Sequence, residues 1–513
     1  MSDPSAILLP VHQALTSDMM LGLKPSAPKS RSYRISVAPL NGSTFGPSSQ
    51  IIWELPTGRR GTWLDQNQSY IKFSVQCVTA NACAANAAGG IYIENTAYSF
   101  FQRLDIYNSS NLLETTSEYG QLAKFLIDTQ LTQSDKAGLS SMIGSNNLEN
   151  IYSTTAISAA QLAGAAAINP VAISVETQRP GDRSGMSLAA TTGFATAIPY
   201  TFCLPVLSGV VGVNASKMMP VGKLNAPIRC EFYLAGLNEP LVAGTAGVGA
   251  AGNGPNWQII NAEFDVCYVE LNDDSLDVPL QQGEQEYIST TTYRQTSTSI
   301  PANSSGEITV LVPFRCASLN AVYARFRPFV GAVNGATATA AYTKSASANL
   351  NLSSYYWRIG SSMYPNKPVY LQNTQTGTGA EAFAELLKSF HALSATIGNT
   401  SLGNKQYSII TQTAAVSGWA PMSLFGDPKL IQTTHNNAFA IGLELQSFAN
   451  RSDTILSGIS TLNSQVYFTA NVIAGLQSGG NGAGGAGYAA TADFFANMDM
   501  ILVLQDGVLS AKF

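Results

Sequence analysis

The chain has 513 residues, enough for two to four domains with large cores, and it is 45% hydrophobic but only 12% charged. That is about half the roughly 25% charge of an average globular protein. With a net charge of −5 and no basic patch, the electrostatic footprint of a nucleic-acid binder is missing. The missing charge is replaced by Ser, Thr, Asn, Gln, Ala and Gly. Small neutral polar groups lose their water at lower cost than charges do. The composition therefore favours a subunit that buries much of its surface against other subunits, although a neutral extracellular β-protein would share it.

Residues 1–32 read as an N-terminal arm, broken by Pro4, Pro10, Pro25 and Pro28 and made mildly positive by Lys24, Lys29 and Arg31. The opening MSDPSAILLPVHQ lacks the basic region and long apolar run of a signal peptide. The most apolar stretch, Ala156 to Val175, is interrupted by Gln161, Asn169 and Pro170 and falls short of a membrane span. A soluble protein made in the cytoplasm is the expectation.

From Tyr33 the pattern becomes alternating. Strands are predicted over 33–37, 50–55 and 70–78, the last with Ile71, Phe73, Val75 and Cys77 on one face. At Ser99 begins a unit, SFFQRLDIYNSSNLLETTSEYGQLAKFLIDTQL, that recurs in altered form at Ser354 as SYYWRIGSSMYPNKPVYLQNTQTGTGAEAFAELLKSFHAL. Each copy opens on Ser and two aromatics, Phe100 and Phe101 or Tyr355 and Tyr356. A short strand with one arginine follows (Arg103, Arg358), then a polar turn-rich loop and an amphipathic helix. In the second copy Phe383, Leu386, Leu387, Phe390 and Leu393 share one helix face. In the first, Tyr119, Leu122, Phe125 and Leu126 do so less strongly.

Residues 132–197 read as a long loop insertion, with a short helix within it at 158–167. Strands resume over 200–207, 228–234 and 257–271. Residues 272–286 form a linker, acidic from Asn272 to Asp277 and ended by Pro279. The second half repeats the order. Strands are predicted over 287–294, 307–312 and 321–327, followed by the second unit, a long loop over 398–437, and strands over 439–445, 466–472 and 498–504. Phe202 to Ile228 spans 26 residues and Phe439 to Val466 spans 27, so the halves also agree in length. The expected fold class is all-β: two tandem eight-stranded jelly-roll sandwiches, 33–271 and 287–513, each with a short helix and long loop insertions.

Chemistry is scarce. His12, His391 and His435 are scattered and have no second ligand at metal spacing, which disfavours the metal-dependent enzymes built on two β-barrels. No GxSxG elbow occurs. The run Gly479 to Gly487 lacks the Lys-Ser/Thr of a phosphate loop, and the 272–277 cluster lacks calcium-loop spacing. Asn41 and Asn450 begin glycosylation-like triplets of the kind expected by chance in so Asn- and Ser-rich a chain. Cys77, Cys83, Cys203, Cys230, Cys267 and Cys316 form no CxxC pair and read as buried reduced thiols. Of the tryptophans that could make a sugar platform, Trp53 and Trp357 lie in alternating strands and read as core, leaving Trp63 and Trp419 as exposed candidates. No catalytic, cofactor-binding or metal-binding residue is assigned, and an enzyme is not expected.

Two tandem jelly rolls, each with a helix after a strand-loop unit, resemble the double jelly-roll major capsid proteins of adenovirus, tailless bacteriophages, large eukaryotic DNA viruses and polinton-like viruses. The resemblance rests on Phe202-Cys-Leu-Pro-Val-Leu207, on Leu224-Asn-Ala-Pro-Ile-Arg-Cys-Glu-Phe232 and on Arg358-Ile-Gly-Ser-Ser-Met-Tyr-Pro365. It implies a homotrimer of pseudo-hexagonal outline that tiles an icosahedral virion shell. Neighbouring capsomers and minor capsid proteins would be its partners, and the N-terminal arm would be the segment open to an internal membrane. No sequence-specific nucleic-acid contact is implied. The alternative is a neutral β-rich adhesin or carbohydrate-binding surface protein.

Overall fold

The computed structural model describes residues 29–78, 91–93, 96–131, 133–145, 187–188, 199–215, 217–237, 239–243, 257–272, 284–301, 306–328, 352–371, 379–390, 439–447, 456–472 and 490–513. Along the first half run β1 (Ser30–Val37), β2 (Thr44–Phe45), β3 (Gln50–Leu55), β4 (Thr62–Cys77), β5 (Ile91–Ile93), β6 (Phe101–Asn108) and β7 (Asn111–Ser117). Helix α1 (Tyr119–Gln130) and the short helices α2 (Gln133–Gly138) and α3 (Ser140–Ile143) come next. They are followed by β8 (Ser187–Leu188), β9 (Tyr200–Pro205), β10 (Ile228–Leu234), β11 (Leu241–Ala243) and β12 (Trp257–Leu271). The second half has β13 (Gln285–Ile300), β14 (Gly306–Val312), β15 (Leu319–Pro328), β16 (Leu352–Ile359), β17 (Ser362–Tyr370), α4 (Ala380–Ser389), β18 (Ile441–Glu444), β19 (Val466–Val472), β20 (Ala490–Gln505) and β21 (Val508–Lys512).

Two antiparallel sheets make the first sandwich, in the orders β1-β12-β4-β9 and β3-β10-β6-β7. The second sandwich repeats them as β13-β20-β15-β18 and β14-β19-β16-β17. Strand for strand, this is one jelly-roll topology written twice. The alternation behind it is direct: in β3 the side chains of Ile51, Trp53 and Leu55 are buried while Gln50, Ile52 and Glu54 are half-buried. Large aromatics fill both interiors. Trp53 meets Phe232 edge-on at 5.5 Å, and Phe100 meets Trp257 at 5.0 Å. In the second sandwich Trp357 and Phe468 lie 4.8 Å apart, with Phe494 against both.

The structure corrects the recurring unit in two ways. The polar loop predicted between strand and helix is itself a strand, β7 in one copy and β17 in the other, joined to its predecessor by a two-residue turn. Gly360 takes the left-handed conformation of that turn in the second copy, and Ser109 does so in the first. Polar Ser, Thr and Asn hid the strands because one face of each lies outside the core. The second correction concerns register. Ser99 stands ten residues before Ser109, whereas Ser354 stands six before Gly360, so the Ser-aromatic-aromatic motifs are not equivalent positions. What is equivalent is a cross-strand pair with its members exchanged. Arg229 of β10 lies over Tyr107 of β6 at 5.0 Å, and Arg358 of β16 lies over Tyr467 of β19 at 4.7 Å.

Other boundaries shift too. Pairing with β12 begins at Ser30, so the arm gives its last residues to β1. Within the predicted 132–197 loop, residues 133–143 form α2 and α3, and Ser187–Leu188 pairs with β5. The 158–167 helix and the 398–437 loop lie outside the described residues. β21 had no counterpart in the sequence expectation. Among the described residues, no helix is long and apolar enough to cross a membrane.

Candidate functional site at the seam of the two sandwiches

Among the described residues, a dense set of buried side-chain hydrogen bonds and ion pairs lies where the two sandwiches meet. Helix α1 forms its centre. Tyr119, Ala123 and Ile127 pack into the first core, while Leu122, Phe125 and Leu126 pack into the second. A helix buried on opposite faces has no single apolar stripe, which is why its amphipathic pattern is weak in the sequence. Gly120 lets its first turn lie against the preceding chain, where a Cβ would meet the Tyr98 carbonyl at 2.9 Å. Phe125 is the anchor. It stacks on Phe495 at 5.6 Å with the rings 6° from parallel, and it touches Tyr323 at 5.0 Å and Phe390 at 5.6 Å.

Charges surround this helix, and they are paired. Lys124 donates to Asp128, and Lys136 donates to the other Asp128 oxygen at 2.9 Å. Burial alone would push the Asp128 carboxyl up, but the two ammonium groups hold it well below the usual carboxylate range. Arg325 donates to Gln121 Oε1 at 2.7 Å. Arg327 grips Asp493 with a fork, Nε to Oδ2 at 2.6 Å and Nη2 to Oδ1 at 3.2 Å, and comes within 3.9 Å of Glu118.

A second knot is centred on Glu114 of β7, which is buried. Ser208 donates to one carboxyl oxygen, Thr292 of β13 donates to the other, and the Gly209 N–H lies 3.2 Å from both. Ser208 in turn accepts from the N–H groups of Val210 and Val211 at 3.0 and 3.2 Å. Burial pushes the Glu114 carboxyl up, and these donors pull it partly back. Thr290 donates to the carbonyls of Gly209 and Asn214 at 2.9 and 3.1 Å. Strand β13 lies so close that a Cβ at Gly209 would collide with the Thr291 carbonyl oxygen.

The third contact is the hairpin β20–β21. Asn108 Oδ1 accepts from the Leu509 N–H at 2.9 Å, and Asn111 Nδ2 donates to the Leu509 carbonyl at 3.1 Å. The Asn225 N–H donates to Gly507 O at 2.8 Å and its side chain donates to Asp506 O at 2.7 Å. Lys223 reaches Glu286 at 2.6 Å.

These groups are satisfied by one another, so the arrangement fixes the geometry of the seam. A cleft beside Glu118, Gly120, Gln121 and Glu239 has room for about one water molecule. Among the described residues, no group of three or more His, Cys, Asp or Glu could hold a metal ion. His12, His391 and His435 lie outside the described residues, as do Asp273 to Asp277, Gly479 to Gly487, Cys83 and Trp419. Cys203, Cys230, Cys267 and Cys316 are free thiols, all buried except the half-buried Cys203. Trp53 and Trp357 are core residues, and Trp63 is half-buried with the Lys223 ammonium 5.9 Å from its ring. Sequence reasoning missed Glu114, the double role of α1 and the closing hairpin. Only the hairpin left a usable trace, Asp506-Gly507 between apolar strands.

No protein-family model matches the sequence, and none of the curated proteins matches it either. Solved structures do. The quasi-atomic model of the PBCV-1 virus capsid is 10% identical and superposes with a TM-score of 0.53 over 96% of this chain and 98% of that one. The Faustovirus major capsid protein is 10% identical, with a TM-score of 0.53 over 98% and 94%. The cryo-EM structure of the Sputnik virophage gives 12% identity and a TM-score of 0.53 over 97% and 92%. The likeness is one of fold and runs from end to end. The double jelly roll expected from the sequence is the architecture found.

Proposed function

We propose that this chain is a major capsid protein, a structural subunit and not an enzyme, whose place is the shell of a virion. The observation that carries the proposal is the tandem jelly roll itself, alike over 96% or more of its length to a chain of the PBCV-1 virus capsid and to the Faustovirus major capsid protein. The low charge supports it, since shell subunits must desolvate large areas of each other. On this reading the chain forms a homotrimer of pseudo-hexagonal outline. The sandwiches, the first from β1 at Ser30 to β12 at Leu271 and the second from β13 at Gln285 onward, so that the expected 272–286 linker loses Gln285 and Glu286 to β13, supply its six near-equivalent corners. Neighbouring capsomers and minor capsid proteins bind its outer faces, and the N-terminal arm is the segment that reaches an internal membrane.

A rigid seam suits that role. A shell subunit transmits load between its neighbours, and two sandwiches free to pivot could not hold a fixed six-cornered outline. Light scattering on the purified protein, coupled to negative-stain microscopy, tests the proposal. The expected result is a particle of three times the chain's mass with a hexagonal outline. A monodisperse monomer at tens of micromolar would overturn it.

A further inference from the structure

The last strands do not belong to the second sandwich alone. Along β20 the side chains of Ala490, Ala492, Phe494, Ala496 and Met498 are buried in the second core. Every second residue of a strand faces the same way, so the same face continues through Met500, Leu502 and Leu504. These three are buried in the first core, together with Leu509 of β21. One face of one strand thus serves two cores in succession. The exchange falls where the neighbour changes. Up to Met498, β20 pairs with β15; from Ile501 onward it pairs with β21 on that side, while β13 follows its other side throughout. The turn of the hairpin is Asp506-Gly507, both left-handed, and Asn225 of the first sandwich fills the space beside Gly507 so closely that a Cβ there would collide with it. Leu509 is then held at both its N–H and its carbonyl by Asn108 and Asn111, which flank the β6–β7 turn some 400 positions earlier.

We infer that the segment Met500 to Leu509 is a closing element for the first sandwich. The described residues of the first sandwich do not complete its core by themselves, because four of its fully buried side chains, Met500, Leu502, Leu504 and Leu509, come from β20 and β21. The first sandwich therefore reaches its native stability only when the 500–509 segment has been made and seated. Ordering of the first sandwich then depends on β20 and β21. This inference does not rest on the capsid proposal and holds for a monomer or an oligomer alike.

Hydrogen-exchange mass spectrometry on the full-length protein tests it, comparing wild type with Leu509→Ala and with a chain lacking 508–513. In both variants amides of β3, β6 and β10 are expected to exchange at least about tenfold faster, while those of β16 and β19 keep wild-type protection. Should protection fall first in β16 and β19, or should β3, β6 and β10 be unchanged in both variants, the inference is overturned. If the shortened chain aggregates, Leu509→Ala decides alone. A synthetic peptide of residues 508–513, added to the shortened chain, is expected to restore protection in the first sandwich. Restoration confined to the second sandwich would contradict the inference.

Discussion

Glu114 shows how a single residue can couple stability to pH. Its carboxyl is buried among Ser208 and Gly209 of the loop after β9 and Thr292 of β13. The nearby titratable groups are Tyr119 on α1 and Cys230 on β10, whose own protons are also held more tightly because of burial. The folded state keeps the Glu114 proton above the ordinary value of 4.5, so it binds that proton more firmly than the unfolded chain does. The associated stability is complete below the unfolded value and is lost as pH rises through the folded one. Glu114→Gln is neutral at every pH; its Oε1 can accept in place of one carboxyl oxygen, while its NH2 donates in place of the other. Measured between about pH 5 and pH 8, the melting temperature of wild type should fall relative to that of the variant as pH rises. Parallel profiles would show that the folded state does not hold the Glu114 proton more firmly than the unfolded chain does. Nothing in the sequence distinguished this glutamate: it sits in a polar stretch, LLETTS, that looks like a loop, and its burial comes from a partner strand almost two hundred residues away.

Among the elements, α1 carries the seam. A helix that belongs by sequence to the first half places Phe125 in a box made by Tyr323, Phe390 and Phe495 of the second. Phe125→Ala should cost about 3–5 kcal/mol, as for a large aromatic removed from a core that cannot fully collapse. Urea denaturation measures it. Since the partners of Phe125 lie on β15, on β20 and after α4, near-ultraviolet dichroism of the aromatic signals should change although the backbone dichroism does not. A loss below about 1 kcal/mol would mean that the box closes without its occupant. Helix α4 contrasts with α1. Leu386 and Leu387 are buried, Phe383 and Phe390 are half-buried, and its opposite side is wet. Its pattern was plain in the sequence because its apolar side chains pack into the second core alone. Of the expected face, Phe383, Leu386 and Leu387 lie in the helix, Phe390 is its C-cap, and Leu393 lies outside the described residues.

At the scale of the molecule, two sandwiches share a helix, a carboxylate knot and a closing hairpin. With the seam intact, as in the wild-type chain, they should therefore melt together despite a size at which separate domains are usual, and come apart only when the closing hairpin is lost. Scanning calorimetry should give one transition whose calorimetric and van't Hoff enthalpies agree. Two resolved transitions would mean that the seam is weaker than either core.

Repetition, alternation and low charge, all read along the chain, determined the β class, the doubling and the order of the strands, because a strand's alternation and a turn's Gly or Asp are local properties. The register between the halves, the strand identity of β7 and β17, and the sharing of cores were decided only in three dimensions. Each depends on which distant segment covers a given face, as with Met500 and Leu502, whose pattern continues that of Met498 without a break while the core they enter changes. A side chain's sequence neighbours set which way it points; what it is buried against comes from wherever the rest of the chain returns.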